Sequence, residues 1–407
     1  MCAVLPDGET VPASGVLPEG VRAGAASGRA FGIYLHVPFC ATRCGYCDFN
    51  TYTAAELAGG VSRGSYVHQA AAELRLARQV VGPDAGPVQT VFVGGGTPTL
   101  LPAADLAALL HLVDELFGLA PGAEVTTEAN PESVDPASLA VLRAAGFTRV
   151  SIGMQSAVPS VLATLDRTHT PGRPAAAVRE ARAAGFEQVS LDLIYATPGE
   201  TAADWDRTLE AALAAEPDHV SAYGLIVEPG TRLAAQVRRG ELPEPDEDTM
   251  AERYARTDAA LTAAGLEWYE VCNWAARDDA ACRHNLGYWD GGDWWGIGPG
   301  AHSHVGGVRW WNVLHPSAHA AALQRGQAPV AGRELLTPDE QRFERVMLAS
   351  RLRTGVETAV LSAAGAQEAE RLAGDSLLDA AALAGGRVVL TLEGRQKADL
   401  VVRELTD

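Results

Sequence analysis

Cys40, Cys44 and Cys47 stand in the spacing C-x3-C-x2-C within the stretch YLHVPFCATRCGYCDFN at 34–50. This loop constrains the fold strongly, because the chain on either side must bring three soft thiolates to one place. Three thiolates at this spacing suit three irons of a [4Fe–4S] cluster. No fourth cysteine follows at the usual near position, where Asp48 and Phe49 stand instead. One iron is therefore left for a ligand that is not protein. Zinc is the plain rival, but it favours paired C-x2-C units or a Cys/His set that closes a tetrahedron. Only one C-x2-C is present here, and the nearest extra ligand, His36, precedes the loop. The balance favours a cluster.

Around the loop, short Val/Ile/Leu runs alternate with longer Ala/Leu/Arg stretches of helical period. Strands are expected at 33–38, 88–96, 124–130, 149–155, 188–195 and 219–227, and helices at 65–81, 103–117 and after the Asp135-Pro136 start signal. Continuous apolar runs between helices imply parallel strands buried on both faces. Six such units fall short of a closed eight-stranded barrel. The expected fold is thus α/β, a partial (β/α)6 TIM-like barrel with its chemistry at the C-terminal strand ends. The expected organisation is a flexible N-terminal segment at 1–30, the barrel at 31–228, an extension at 229–329 and a C-terminal helical, winged-helix-like domain at 330–407. Within the extension a helix is expected at 248–264 and a seventh strand at 268–274 (WYEVCNW). In the last region a helix at 343–352 precedes a closing strand, tight turn and amphipathic helix.

Lys and Arg number 32 against 51 Asp and Glu, a net charge of −19. Such a surface argues against a nucleic-acid backbone as the main partner, which needs clustered cations. There is no long apolar run for membrane insertion and no signal segment, so a cytoplasmic protein with reduced thiols is expected. Cys2, Cys272 and Cys282 lack disulfide-like spacing and read as ordinary buried or loop cysteines.

Several polar residues fall at or near expected strand ends. Gly94-Gly95-Gly96-Thr97-Pro98 closes the second strand, where glycines let a ligand touch the backbone. The absence of a following Gly-Lys-Ser/Thr argues against a P-loop. Glu128 closes the third strand and Gln155 the fourth, Arg167 follows in LDRTHT, and Asp192 sits inside the apolar SLDLIY. Alone, Glu128 reads as a solvated carboxylate and Arg167 as a surface cation. Asp192 is different, since an acid in an apolar strand costs several kcal/mol unless paired.

The cysteine loop, with Tyr46 just before its last cysteine, resembles that of the radical S-adenosylmethionine (SAM) superfamily. HVPFCATRCGYCDF, GGGTPT, ANPE, GMQS, LDRTH, DLIYATPGET and HNLGYW together resemble the HemW heme-chaperone family, from Gly32 through nearly the whole chain. Its close relative is oxygen-independent coproporphyrinogen III oxidase. The resemblance implies a [4Fe–4S] cluster on the three cysteines, SAM on the open iron, heme as cargo, a heme-acceptor protein and an electron donor. It further implies that Tyr34, Tyr46, Gly95 and Glu128 hold the cluster-bound SAM, with backbone groups of the glycine turn taking the amino group of its methionine part. Gly96, Thr97, Gln155, Arg167 and Asp192 match positions that contact a second SAM in the oxidase.

Two departures favour the chaperone over the oxidase as the alternative. Phe49 stands where the oxidase motif carries a further cysteine, and only 39 residues precede Cys40, where the oxidase has a longer arm. A radical SAM enzyme acting on RNA is a weaker third reading, given the acidic balance. His284, opening HNLGYW, is the candidate heme ligand, because a neutral imidazole suits heme iron. Trp289, Trp294 and Trp295 would supply an apolar surface for the porphyrin. By itself a lone histidine among aromatics is more often a packed core residue, and the resemblance is what raises it. The roles of His302 in GIGPGAHS and of His304 just after it stay open.

Overall fold

The structure, a computed structural model, describes residues 5–12, 16–21, 23–57 and 61–406. Six strands, β1 (Phe31–Val37), β2 (Val88–Gly95), β3 (Leu119–Ala129), β4 (Arg149–Gln155), β5 (Gln188–Tyr195) and β6 (His219–Gly224), lie side by side in chain order, all parallel. Helices α1 (Arg63–Val81), α2 (Ala103–Phe117), α3 (Pro136–Ala145), the short α4 (Pro159–Thr164), α5 (Arg173–Ala183) and α6 (Ala202–Leu213) connect them. Local chemistry sets the helix starts. Ser62, Asp135 and Thr201 each accept a hydrogen bond from the third helical N–H in a reciprocal capping box, and Pro136 occupies the first turn of α3. The expected partial barrel is therefore present, and the expected strands match within a few residues.

One feature differs in a way that shapes the site. The strands were expected to be apolar on both faces, yet only the outward phase is: Val150, Ile152, Val189, Leu191, Leu193, Val220 and Ala222 are fully buried under the helices. The inward phase reads Thr126 and Glu128 on β3, Arg149 and Ser151 on β4, Ser190 and Asp192 on β5, and His219 and Ser221 on β6, all lining one cavity. Side chains alternate across a strand with period two, so every second position builds a polar barrel interior.

Beyond β6 come α7 (Arg232–Arg238) and α8 (Glu247–Ala263), the latter matching the helix expected at 248–264. The expected seventh strand at 268–274 is instead a hairpin. β7 (Glu267–Glu270) and β8 (Asn273–Ala275) pair antiparallel, and β8 runs antiparallel to β6. The reason lies at the turn, where the Asn273 amide donates to the buried Glu270 carboxylate across Val271 and Cys272. After α9 (Arg283–Trp289), the seventh parallel strand is β9 (Asp293–Ile297), which joins the opposite edge beside β1. β10 (His302–Val305), β11 (Val308–Asn312) and, after α10 (Pro316–Gln324), β12 (Val330–Leu335) continue that edge antiparallel, completing a twelve-stranded sheet.

The N-terminal segment expected to be flexible packs onto this edge in its described parts, while residues 1–4, 13–15 and 22 lie outside the described residues. Glu9 and Arg333 exchange backbone hydrogen bonds at 2.9 and 3.1 Å, Val16 and Ala23 are buried, and Asp293 accepts from the Gly24 N–H. The last region has its own small core around Val346, Leu372, Val388, Val401 and Leu405. It contains α11 (Pro338–Ala349), β13 (Val356–Glu357), α12 (Ala363–Gly374), α13 (Ala380–Ala384), β14 (Arg387–Val388), α14 (Leu392–Gln396) and α15 (Ala398–Thr406). The first helix spans 338–349 rather than 343–352, because Thr337 and Glu340 form its capping box. The expected closing strand contracts to two residues paired with β13. No described helix is long and apolar enough to cross a membrane.

Candidate functional site

A cavity of about 610 Å³ opens at the C-terminal ends of β1–β6 and runs down the polar barrel interior. Its wall brings together Cys40, Cys44, Cys47, Tyr46, Gly95, Gly96, Thr97, Glu128, Gln155, Arg167 and Asp192. Of the residues expected to act, Tyr34 and His284 stand off this wall.

The cysteine loop follows β1 and is held by its backbone. Cys40 N–H donates to Tyr52 O and Tyr52 N–H to Pro38 O, while Gly45 N–H donates to Leu165 O. Beneath it, His36 bonds Asn50 O at 2.9 Å, and the buried Asn50 amide donates to Pro299 O and Leu314 O at 3.0 and 2.9 Å. The glycine turn of β2 presses against the same loop. Gly95 has φ +112°, and a Cβ there would meet the His36 ring at 2.6 Å. At Gly96 a Cβ would lie 2.5 Å from Phe39 O and 3.0 Å from Cys40 Sγ. Only glycine fits either position.

Electrostatically the wall mixes thiols, several acids, Glu128 and Asp192 among them, and the cations Arg149 and Arg167. Burial raises the Cys40 thiol, and burial with the neighbouring thiols pushes Cys47 up to about 11. Metal binding there would release protons. Arg167 donates to Gly153 O at 2.9 Å and points a second N–H at Cys44 Sγ, 3.5 Å away. Glu128 is pushed up to about 8, mainly by burial and then by Asp192, against the Gly95 N–H that it accepts at 3.0 Å. Asp192 is also raised by burial, although Ser151 donates to it at 2.9 Å. Gln155 holds φ +62°, a left-handed conformation that costs a non-glycine residue about 1 kcal/mol or more and clusters at functional sites.

His284 sits behind the wall. Its N–H and that of Arg283 both donate to the buried Glu124 carboxylate at 3.0 Å, which fixes the start of α9. Its imidazole is committed at both nitrogens, Nδ1 to Thr90 Oγ1 and Nε2 to Tyr288 OH, each at 2.8 Å. The ring stacks on Phe92 and Tyr34, with centroids 5.3 and 6.3 Å away. In this geometry both ring nitrogens of the candidate heme ligand already have partners. Trp289, Trp294 and Trp295 are likewise absent from the cavity wall. Tyr34 supports the site from behind, its hydroxyl 3.2 Å from His36 Nδ1.

Some cavity residues were not anticipated. Asn285 and Cys282 reach the wall from α9 and its cap, and Arg149 and Thr126, register neighbours on β4 and β3, line its floor. Arg149 Nη2 and Thr126 Oγ1 have no partner among the described residues. The signal for the floor is present in the sequence as the polar phase of β3–β6.

The family model described as the radical SAM superfamily matches residues 34–212. The heme chaperone HemW of Mycobacterium tuberculosis is 58% identical, covering 93% of this chain and 95% of the relative. The heme chaperone HemW of Synechocystis is 36% identical, covering 83% and 82%. Among solved structures, the coproporphyrinogen III oxidase HemN from Escherichia coli, a radical SAM enzyme, superposes with a TM-score of 0.78 at 23% identity, covering 93% of this chain and 90% of that one. At that identity the likeness speaks for the fold. Sequence identity of this extent, over a cavity assembled from the expected motifs, places the chain in the HemW family within the radical SAM superfamily.

Proposed function

We propose that the protein is a radical-SAM-type heme chaperone, which binds heme and passes it to an acceptor protein. The observation that carries this reading is the cavity itself. Three cysteines, a glycine turn and two buried carboxylates face one space in a chain 58% identical to a heme chaperone over nearly its whole length. Cys40, Cys44 and Cys47 would hold three irons of a [4Fe–4S] cluster, leaving the fourth for SAM. The residues fit this pair of cofactors. Gly96 lets the glycine turn approach Cys40 closely, and Glu128 and Asp192, whose protons are held on by burial, would give them up beside a ligand that carries an ammonium and a sulfonium.

When bound and reduced by an electron donor, the cluster supplies one-electron cleavage of SAM. The chain's own part is to orient and enclose. The Gly95 backbone, Tyr46 and Glu128 would position the cluster-bound SAM, Gly96, Thr97, Gln155, Arg167 and Asp192 would line the place of a second one, and the β5–β6 ends would exclude water. Phe49, in place of a further cysteine, supports the chaperone over the oxidase. A cytoplasmic location suits free thiols such as Cys44 and Cys47.

The test is an anaerobic transfer assay with cluster-reconstituted, heme-loaded protein and apomyoglobin as the acceptor probe, run beside a coproporphyrinogen III incubation with SAM and reductant. Heme should move to the apoprotein, with no CO2 released from coproporphyrinogen. SAM-dependent CO2 release without heme transfer would overturn the reading in favour of the oxidase.

A further inference from the structure

Ten histidines occur in the chain, and only His169 and His219 line the cavity. His219 is spent, its Nδ1 bonded to Ser190 Oγ at 2.7 Å and its Nε2 to Tyr269 OH at 2.8 Å. His169 is 7% exposed, and its Nδ1 is buried without a partner. Neither of its ring nitrogens makes a hydrogen bond among the described residues. An unpaired imidazole in a folded interior costs about 1–3 kcal/mol, so its retention asks for a ligand. It is also neutral, since burial and the nearby Arg167 hold its proton affinity down to about 4.

The loop that carries His169 is fixed at both ends. Leu165 O accepts from Gly45 in the cysteine loop, Asp166 pairs with Arg232 at 3.2 Å, and Thr170 N–H donates to Glu132 at 2.6 Å. Its imidazole is therefore preorganised against the cavity. The same cavity has an unusually apolar rim. Phe49 and Ile226, 44% and 63% exposed, belong to the few large hydrophobic side chains that face solvent, and both line the cavity with the half-buried Leu100 and the buried Leu225. Exposed apolar surface around a concave site marks a binding surface. A rim of this kind with one uncommitted neutral imidazole matches a flat metalloporphyrin, whose apolar macrocycle needs wall contacts and whose iron takes an imidazole nitrogen.

Resting on the chaperone reading, we infer that heme docks at the cavity mouth with His169 as its axial ligand, and that His284 holds the wall behind it.

The test is absorption and electron paramagnetic resonance of ferric heme titrated into cluster-reconstituted full-length protein, as wild type, His169→Ala, His169→Tyr and His284→Ala. Wild type should show saturable binding with imidazole-ligated heme. His169→Ala should bind at least roughly tenfold more weakly and lose that signature, and added imidazole should restore it. His169→Tyr, which keeps an aromatic ring in place, should show a phenolate-ligated spectrum, and His284→Ala should keep the imidazole one. Imidazole-ligated heme of wild-type affinity in either His169 variant would overturn the assignment while leaving the chaperone reading intact. Absence of saturable binding in wild type would overturn both.

Discussion

Glu128 Oε2 accepts the Gly95 N–H at 3.0 Å, joining the end of the third strand to the glycine turn of the second. The bond holds a carboxyl that burial and Asp192 together push from an ordinary 4.5 up to about 8. The folded protein thus keeps a proton here that the unfolded chain gives up. The resulting penalty is absent below about pH 4.5, grows as pH rises, and is complete above about pH 8.

Glu128→Gln removes that penalty and keeps an acceptor for Gly95. Without cofactors, the variant should melt higher than wild type at alkaline pH, with the difference shrinking towards pH 4.5. Thermal melts across this range check it. A variant that melts lower at every pH would show the carboxylate to be stabilising.

Arg167 is the cation beside the cluster loop, 3.5 Å from Cys44 Sγ. Hydrogen bonds to cluster sulfurs and local positive charge favour the reduced state. Arg167→Ala should therefore lower the midpoint potential of the reconstituted cluster in a redox titration followed by paramagnetic resonance. A raised or unchanged potential would remove Arg167 from the electrostatics of the site.

Asn50 ties the exit of the cysteine loop to the sheet extension through Pro299 O and Leu314 O. Asn50→Ala strips Pro299 O of its donor and leaves Leu314 O only the Tyr52 hydroxyl at 3.3 Å, a loss of about 1–3 kcal/mol. Denaturant unfolding should show that loss, together with faster release of cluster iron to a chelator. Wild-type stability would mean that the loop is held without this tether.

Gly96→Ala places a methyl group 2.5 Å from Phe39 O and 3.0 Å from Cys40 Sγ. Overpacking of this kind costs about 1–3 kcal/mol, and here the backbone that must yield carries a cluster ligand. Iron and sulfide content after reconstitution should fall well below wild type while the fold persists by circular dichroism. Full content would show the two loops to be less tightly opposed.

Much of the site was legible because its parts are local. The cysteine spacing, the glycine turn and the strand-end positions of Glu128 and Gln155 can all be read within a few residues of themselves. The barrel followed from periodicity, and its polar floor was also written there, in Arg149 and Ser151 or Ser190 and Asp192 two apart, though the apolar outward phase dominates those runs. What was not legible depends on partners distant in sequence. β9 pairs with β1, the N-terminal segment is held by Asp293 and Arg333, and the ring of His284 is closed off by Thr90. WYEVCNW has strand composition throughout, and its turn is held by the bond between Asn273 and Glu270 and by distant partners, the Ala222 N–H on Cys272 O and the Tyr254 hydroxyl on Val271 O.

The central claim, that this cavity carries heme, is tested most directly by equilibrium titration of heme into anaerobic, cluster-reconstituted wild-type protein. Saturable binding of one heme per chain is expected, competed by the porphyrin ring rather than by free iron. Absorption that rises without saturation, as heme adsorbing to a surface would give, would contradict it.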